Sequence, residues 1–239
     1  MNNNSSNNPP EIKNYILSYV QIRGSAPIKF AQIINGRYKP RLYIDENNSG
    51  EAFKKHAFKL ISNYDSVLMV NLVDKTKYEK PVGLAFERQV KNNNLPSIFY
   101  FHFDFHSESK KNKSAPLGNL VANSISQYMN TFGGLRFCVD SNSVTKLQTG
   151  VVRTNCMDCL DRTNVVQFGL AIFWINSELV HFNILSPGES IEDYVQIFYL
   201  LRNVWSDNAD YISMAYAGTP ALKTDLTRLS SLNIFIACI

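Results

Sequence analysis

A cysteine and an arginine stand six positions apart in the middle of this chain, within the string Asn-Cys-Met-Asp-Cys-Leu-Asp-Arg-Thr-Asn. A thiol is a useful nucleophile only as a thiolate, and backbone N–H groups, a helix N-terminus or a nearby cation lower its pKa. A loop that closes onto the start of a helix supplies those groups, and the same donors bind phosphate oxygens. The spacing of Cys156 and Arg162 therefore predicts phosphate chemistry.

The other residues of this string have distinct predicted roles around the phosphate. The planar guanidinium of Arg162, at the start of the predicted helix, can bind two phosphate oxygens at once. Thr163 can donate its hydroxyl to the sulfur or to the leaving oxygen. Backbone N–H groups of the loop would hold the remaining phosphate oxygens, and the loop residues predicted to bind phosphate are Met157, Cys159 and Leu160.

The alcohol that leaves during phosphate transfer needs a proton, and Asp158 and Asp161 are the candidate acids in the loop. A carboxylate beside a bound phosphate dianion is repelled by it, which raises the carboxyl pKa. Asp161 adjoins Arg162, which can instead keep it ionised, and it can also cap the helix, so Asp158 is placed first. The sequence leaves open which aspartate serves, and also that both only shape the loop.

The elements that must position this loop alternate between strands and helices. Residues 144–153 alternate as a strand before the loop, and Val166, Leu170 and Phe173 share one face of a helix after it. This pattern predicts an α/β fold with a central mixed, partly parallel sheet flanked by helices, and a cysteine-phosphatase-like phosphate loop between a strand and a helix. The predicted strands are 15–22, 66–73, 98–106, 135–140 and 144–153, and the predicted helices are 51–64, 81–92, 117–132, 163–179 and one that begins near Ser190.

The longer string Arg-Thr-Asn-Cys-Met-Asp-Cys-Leu-Asp-Arg-Thr-Asn resembles the signature of Sac-domain phosphoinositide phosphatases. The resemblance covers the chain from about residue 15 to residue 228 and takes in the segments 21–27, 38–40, 103–106, 203–208 and 216–228. It implies hydrolysis of monophosphates on phosphatidylinositol rings at a cytosolic membrane face, without a metal. It also implies that Cys156 is the nucleophile and Arg162 a phosphate binder, in agreement with the chemical argument.

Three cations outside the loop are candidates for headgroup binding or electrostatic support, namely Arg23, Lys39 and Lys223. Lys39 lies between Arg37 and Arg41, and a solvated basic loop is the alternative interpretation of that cluster. For Lys223 a surface position or a salt bridge fits the sequence as well as a ligand contact does.

The bulk composition limits the partners and the compartment. A net charge of +4 suits an anionic ligand or a membrane surface and does not require nucleic acid. Four cysteines do not form a disulfide framework, and a nucleophilic cysteine needs a reducing compartment. We therefore expect a cytoplasmic protein with no signal peptide or transmembrane segment, and the resemblance to the Sac family implies a peripheral position on endomembranes. Asp104 and His106 are predicted neighbours on one strand face, but we assign no metal and no cofactor.

The chain divides into three predicted regions. Residues 1–14 form an Asn/Ser/Pro-rich disordered tail, residues 15–228 a Sac-type catalytic (sub)domain, and residues 229–239 a divergent apolar tail. Compared with the family, the catalytic domain is expected to be truncated at both ends. The missing parts would leave apolar surface uncovered, which predicts a protein partner.

Several other functions remain open at this stage. A truncated domain can be a catalytically inactive binding or regulatory module, and the loop alone also fits a tyrosine-phosphatase-like enzyme. Cys156 and Cys159 form a C-x-x-C pair, but zinc normally needs a second pair of ligands, and a redox enzyme would leave Arg162 and Thr163 without a role. A further hypothesis is that Cys159 reversibly protects Cys156 as a disulfide under oxidation.

Overall fold

The computed structural model describes residues 13–33, 36, 39–111 and 124–222, and within them the chain forms nine strands and six α-helices. The strands are β1 (Tyr15–Ser18), β2 (Gln21–Arg23), β3 (Phe30–Ile33), β4 (Arg41–Ile44), β5 (Val67–Asn71), β6 (Ile98–His102), β7 (Leu135–Cys138), β8 (Ser143–Lys146) and β9 (Val151–Asn155). The helices are α1 (Glu46–Tyr64), α2 (Lys80–Asn93), α3 (Phe105–Lys111), α4 (Ser126–Phe132), α5 (Asp161–His181) and α6 (Val195–Ala217), with a 3₁₀ turn at Ile191–Asp193.

The central sheet has four parallel strands in the order β2-β9-β5-β6. Its two middle strands, β5 and β9, are buried along their whole length, as expected for a parallel sheet covered on both faces. Two antiparallel sheets, β1-β7-β8 and β3-β4, lie outside it. The predicted α/β class is confirmed, with the parallel strands gathered in one sheet.

Successive residues of β5 belong to two different apolar clusters, one on each face of the sheet. Leu68 and Val70 pack in the cluster that contains Phe168 of α5. Val67 and Met69 pack in the cluster that contains residues of α1 and α2. This alternation follows the two-residue period of a strand and fixes α5 on the face opposite α1 and α2.

Local signals mark the ends of several helices. The Asp45 carboxylate accepts the Asn48 N–H at 3.2 Å and so caps α1. Pro81 occupies the first turn of α2, where its missing N–H costs nothing. Gly133, with a φ of +60°, ends α4. The predicted helices 51–64, 81–92 and 163–179 are confirmed as α1, α2 and α5, with shifted ends.

The predicted single strands 15–22 and 144–153 are wrong, because each is two strands that belong to different sheets. The side chain of Gln148 explains both breaks. Its Oε1 accepts the Val20 N–H at 2.9 Å, and its Nε2 donates to the Val20 and Gly150 carbonyls, each at 2.8 Å. The side chain therefore satisfies backbone groups that an unbroken strand would have paired with a neighbour.

Three further predictions change in the structure. The strand predicted for 98–106 ends at His102, because the Asp104 carboxylate accepts the backbone N–H groups of Lys75 and Ser107, each at 2.9 Å. The prediction that Asp104 and His106 share a strand face is therefore wrong. Of the helix predicted for 117–132, residues 117–123 lie outside the described residues, and α4 covers the end. Ser190 caps the 3₁₀ turn at Ile191–Asp193 rather than a long helix.

The substitution Gly150→Ala tests the packing that leads into β9. An added Cβ would lie 2.3 Å from Cδ1 of the Phe132 ring, so the variant should lower the free energy of unfolding by about 1–3 kcal/mol, as overpacking does. The measurement is urea unfolding.

Gly50→Ala in α1 is the matched control, because its Cβ would meet only the flexible end of Gln89, at 3.3 Å. It should be neutral or stabilise the fold by up to about 1 kcal/mol through helix propensity. Equal losses for the two variants would contradict the close approach at Gly150.

Candidate active site

The predicted order of strand, loop and helix is confirmed at residues 151–181, where β9 delivers the loop 156–160 to the N-terminus of α5. The Leu72 N–H donates to the Asn155 carbonyl at 2.7 Å, so the chain after β5 stays beside the chain after β9. Cys159 has a φ of +61°, a left-handed conformation that turns the loop toward the helix. Residues that follow β5 and β9 therefore converge at one edge of the sheet.

A row of hydrogen-bonded polar side chains lies across the strands next to the loop. Arg153 Nη1 donates to Asn155 Oδ1 at 2.8 Å, Asn155 Nδ2 donates to Asn71 Oδ1 at 2.7 Å, and Asn71 Nδ2 donates to the Tyr100 hydroxyl at 3.0 Å. The row crosses the carboxyl ends of β9, β5 and β6. Because each member has a partner, the row can rigidify the strand ends without an unpaired polar group.

Arg153 is a buried cation, only 1% exposed. Among the described residues, none of the groups that accept a hydrogen bond from it is a carboxylate. Besides Asn155 it donates to His56 Nε2 at 3.0 Å and to the Ser25 carbonyl. Burial lowers the pKa of Arg153 to about 10, so it stays charged at neutral pH. Burial, together with the Arg153 charge, lowers the pKa of His56 to about 4 and leaves that ring neutral. The fold thus places a positive charge, without a carboxylate partner among the described residues, close enough to the loop to act on Cys159.

The Cys156 sulfur is fully buried at the start of the loop. Its thiol donates to Asp158 Oδ1 at 3.1 Å and accepts the Thr163 hydroxyl at 3.3 Å. Burial raises the pKa of the Cys156 thiol above its usual value, against the lowering effect of the Arg162 charge. The predicted low pKa is therefore not what this arrangement of the loop favours, because a carboxylate acceptor and a dry environment both stabilise the protonated thiol.

Cys159 is the more acidic of the two loop cysteines. A hydrogen bond with Cys156 lowers the pKa of Cys159 to about 7, and the charges of Arg153 and Arg23 act in the same direction. Its thiol lies 2.7 Å from the Gly24 carbonyl. The two cysteines are thus neighbours, while the protective disulfide between them stays a prediction.

Arg162 lies on the first turn of α5 and forms a two-pronged ion pair with Glu79. Its Nη1 and Nη2 each lie 2.8 Å from a carboxylate oxygen of Glu79, and Nη1 lies 3.7 Å from Asp74 Oδ1. Burial by itself would lower the pKa of Arg162, but the hydrogen bonds that its guanidinium donates to Glu79 raise it overall. Nη1 also donates to the Leu72 carbonyl at 3.5 Å, so three of the five guanidinium N–H groups are engaged and the predicted contact with phosphate must use the others.

The two candidate acids have different environments. Asp158 is exposed and its Oδ1 accepts both the Cys156 thiol and the Leu160 N–H, each at 3.1 Å, so it shapes the loop. Asp161 is half-buried, and burial raises its pKa above the usual value, helped by the nearby Asp158 charge. The raised pKa favours Asp161 as the proton donor, whereas the sequence placed Asp158 first, and the assignment of the acid stays a prediction.

The three predicted supporting cations have separate positions. Arg23 Nη2 donates to the carbonyls of Cys159 and Leu160, so it braces the loop from β2. Lys39 is exposed, and its Nζ lies 6.0 Å from the centre of the Tyr78 ring rather than at the loop. Lys223 lies outside the described residues. The half-buried Met157 packs against the apolar cluster of α1 and α2.

Sequence reasoning missed Glu79, Arg153 and the Asn71–Asn155 pair. A positional signal existed for two of them. Asn71 ends the buried strand β5, and Glu79 follows in the next turn, at the edge of the sheet where the loop was expected. Arg153 was identified only as part of the motif, and nothing in its neighbours along the chain indicated that its side chain would be buried.

The part of the chain that the structure describes contains no group of three or more His, Cys, Asp or Glu side chains placed to hold a metal ion. In the same residues, no helix combines the length and the apolar character that crossing a bilayer requires. The prediction that the site uses no metal remains a prediction.

Comparisons with known proteins agree with the resemblance to the Sac family. Residues 3–110 match the SacI homology domain family. The phosphatidylinositol-3-phosphatase SAC1 of Saccharomyces cerevisiae is 40% identical over 225 residues, which are 92% of this chain and 36% of the relative. SAC1-B of Danio rerio, with the same descriptive name, is 39% identical over 213 residues, 88% of this chain and 36% of the relative. The phosphatidylinositide phosphatase SAC2 of Mus musculus is 34% identical over 220 residues, 91% of this chain and 19% of the relative.

The chain spans about a third of the length of the first relatives it matches.

The substitution Glu79→Ala tests the ion pair that holds Arg162. It should lower the free energy of unfolding by about 3–5 kcal/mol at neutral pH, because it leaves a buried guanidinium without its carboxylate. Burial raises the pKa of Glu79, but the hydrogen bonds and charge of Arg162 lower it below its usual value. The stabilisation is therefore present above the ordinary glutamate pKa and is lost as the pH falls through the folded value, so the difference between variant and parent should shrink in acid.

Urea unfolding of the double variant Glu79→Ala/Arg162→Met should recover much of that loss, because neither charge then remains unpaired. Glu178→Ala is the matched control, since Glu178 of α5 pairs with Arg136 of β7 in another largely buried ion pair. A loss below about 1 kcal/mol for Glu79→Ala would mean that the pair is open to water in solution.

Proposed function

The chain belongs to the SacI homology domain family, and from that premise we propose that it is a phosphoinositide phosphatase acting through a cysteinyl-phosphate intermediate on Cys156. The observation that carries the proposal is the position of this sulfur, buried at the N-terminus of α5 and close enough to the Arg162 charge for that charge to lower its pKa. The names of the yeast and fish relatives supply the substrate class, phosphatidylinositol monophosphates. The activity of those longer proteins is proposed for this chain.

Binding of the phosphate would begin by replacing Asp158 in the loop. The Leu160 N–H already donates to an anionic oxygen, that of Asp158, and a phosphate oxygen can take its place. The free N–H groups of Arg162 and the buried charge of Arg153 attract the dianion. Displacement of Asp158 removes the acceptor that favours the protonated Cys156 thiol, so substrate binding itself promotes ionisation of the sulfur.

The chemical step forms a bond from Cys156 Sγ to phosphorus as the bond from phosphorus to the inositol oxygen breaks. The Cys156 thiol first loses its proton to solvent water, and as the thiolate attacks, Asp161 gives its own proton to the departing inositol oxygen. In the second step the ionised Asp161 takes a proton from water, whose oxygen attacks phosphorus and releases the Cys156 sulfur. Thr163 can donate its hydroxyl to that sulfur as it leaves, since the two already lie 3.3 Å apart.

A second candidate is a binding or regulatory module without activity. It is favoured by the exposed apolar side chains along α6, which include Val195, Leu200, Val204 and Tyr211. Such a surface is typical of a contact with another protein or another domain. Peripheral contact with a cytosolic membrane face is part of the first proposal and is tested by the same substrates in vesicles.

Phosphate release from short-chain phosphatidylinositol monophosphates tests the proposed function. The purified chain should release phosphate, and Cys156→Ser should lower the rate by at least about a thousandfold because it removes the nucleophile. Cys138→Ser is the matched control, since Cys138 is also buried but lies on β7. A phosphotyrosine peptide assayed in parallel distinguishes a tyrosine phosphatase.

A folded, inactive parent protein would favour the binding module, and equal activity of the parent and Cys156→Ser would contradict the cysteinyl-phosphate mechanism.

The pH dependence of the reaction tests the acid role of Asp161. A general acid must be protonated, so kcat should fall as the pH rises through the pKa of Asp161, and the raised pKa extends activity toward neutral pH. Asp161→Asn should lower kcat by about 10²–10⁴-fold and remove the alkaline limb of the profile. Asp158→Asn should retain that limb. The reverse pattern would assign the acid to Asp158.

A further inference from the structure

A second positively charged concavity lies away from the Cys156 loop, and we call it the basic cleft. It has a volume of about 710 Å³ and opens between β4 and the turn that precedes α2. The residues that line it are Lys39, Pro40, Arg41, Leu42, Ile44, Lys77, Tyr78 and Pro81. Its three cations are exposed, and none of its lining residues is acidic.

The cations of the basic cleft lack carboxylate partners within the described residues. None of the ion pairs found there includes Lys39, Arg41 or Lys77. The acidic residues that adjoin the cleft along the chain are engaged elsewhere, because Asp45 caps α1 and Glu79 binds Arg162. Three positive charges therefore face one concavity without neutralisation, an arrangement that attracts an anion.

The walls of the basic cleft are held in place before any ligand arrives. The Tyr78 hydroxyl donates to the Pro40 carbonyl at 2.7 Å and accepts the Gln32 side-chain N–H at 3.0 Å, which ties the turn before α2 to β3 and β4. Lys39 lies over the Tyr78 ring at 6.0 Å, a cation–π distance. Two prolines, at 40 and 81, stiffen the two sides. A preformed cleft loses little entropy when a ligand binds.

We propose that the basic cleft is a second anion-binding site, which takes the phosphate-bearing headgroup of an anionic phospholipid at a membrane surface. The cations suit the phosphate oxygens. Leu42 and Ile44 also line the cleft and offer apolar contacts to the glycerol and the first acyl methylenes of a lipid. Such contacts would not stabilise a free phosphate ion. A lipid therefore fits the lining better than a small soluble anion does.

The basic cleft adjoins the candidate active site through one turn of the chain. Residues 75–79 supply Lys77 and Tyr78 to the cleft and Glu79 to the ion pair with Arg162. Lys77 has a φ of +57°, a conformation that costs energy for a residue other than glycine and that is often found where a side chain is held for binding. A lipid held in the cleft would bring the bilayer surface to the side of the molecule that carries this turn.

Vesicle binding tests the proposal. The probe is a phosphatidylcholine vesicle with about a fifth phosphatidylserine, a lipid with no phosphomonoester to hydrolyse, so the result is readable whether or not the chain is a phosphatase. Near an anionic membrane each basic side chain contributes about fivefold to the binding constant. The variant Lys39→Ala/Arg41→Ala/Lys77→Ala should therefore bind roughly 100-fold more weakly in co-sedimentation, with an unchanged urea unfolding curve.

The matched control removes three charges from other exposed lysines, in the variant Lys13→Ala/Lys54→Ala/Lys59→Ala, which should bind within about twofold of the parent. An equal loss in both triple variants would overturn the proposal, because it would mean that only the diffuse net charge matters. Full release of the parent protein by millimolar inorganic phosphate, at constant ionic strength, would overturn the assignment to a lipid and make the cleft a site for a soluble anion. Parent-like binding by the cleft variant would overturn both.

Discussion

The ion pair between Arg162 and Glu79 joins the two segments on which the candidate active site depends. One partner begins the helix after the loop, and the other lies in the turn after the neighbouring strand, 83 positions earlier in the chain. The two hydrogen bonds of 2.8 Å fix the plane of the guanidinium, which a single contact would leave free to rotate. The arginine that the motif requires is therefore oriented by a residue outside the motif.

Parallel pairing of β5 with β9 makes that contact possible. Val67–Asn71 and Val151–Asn155 run in register, so the two strands end side by side and the segments that leave them meet at one edge of the sheet. The amide pair of Asn71 and Asn155 closes the ends of the strands with a buried hydrogen bond of 2.7 Å. The same edge is where ligands bind in open parallel sheets, because helix N-termini and loop N–H groups gather there.

The strand, loop and helix around Cys156 could be predicted from the sequence because their signals are local: alternation, then a polar loop, then a helical stripe. The breaks at Val20 and Gln148 could not, since the side chain that causes them bonds to a backbone 128 positions away. For a related reason, the sequence predicted a lowered pKa for Cys156, whereas burial in the folded chain raises it. Local sequence shows which donors surround a sulfur, but burial and the acceptor role of Asp158 follow from the folded chain.

The buried charge of Arg153 has a consequence for how the two proposed anion sites respond to ionic strength. Exposed charges are screened by dissolved salt over about 8 Å under physiological conditions, whereas a charge inside the protein is screened much less. The attraction that Arg153 exerts on the loop therefore persists in concentrated electrolyte, while the attraction of the surface cations in the basic cleft fades. If both proposals hold, high salt should release the chain from a charged bilayer before it abolishes the attraction of a phosphate dianion to the loop.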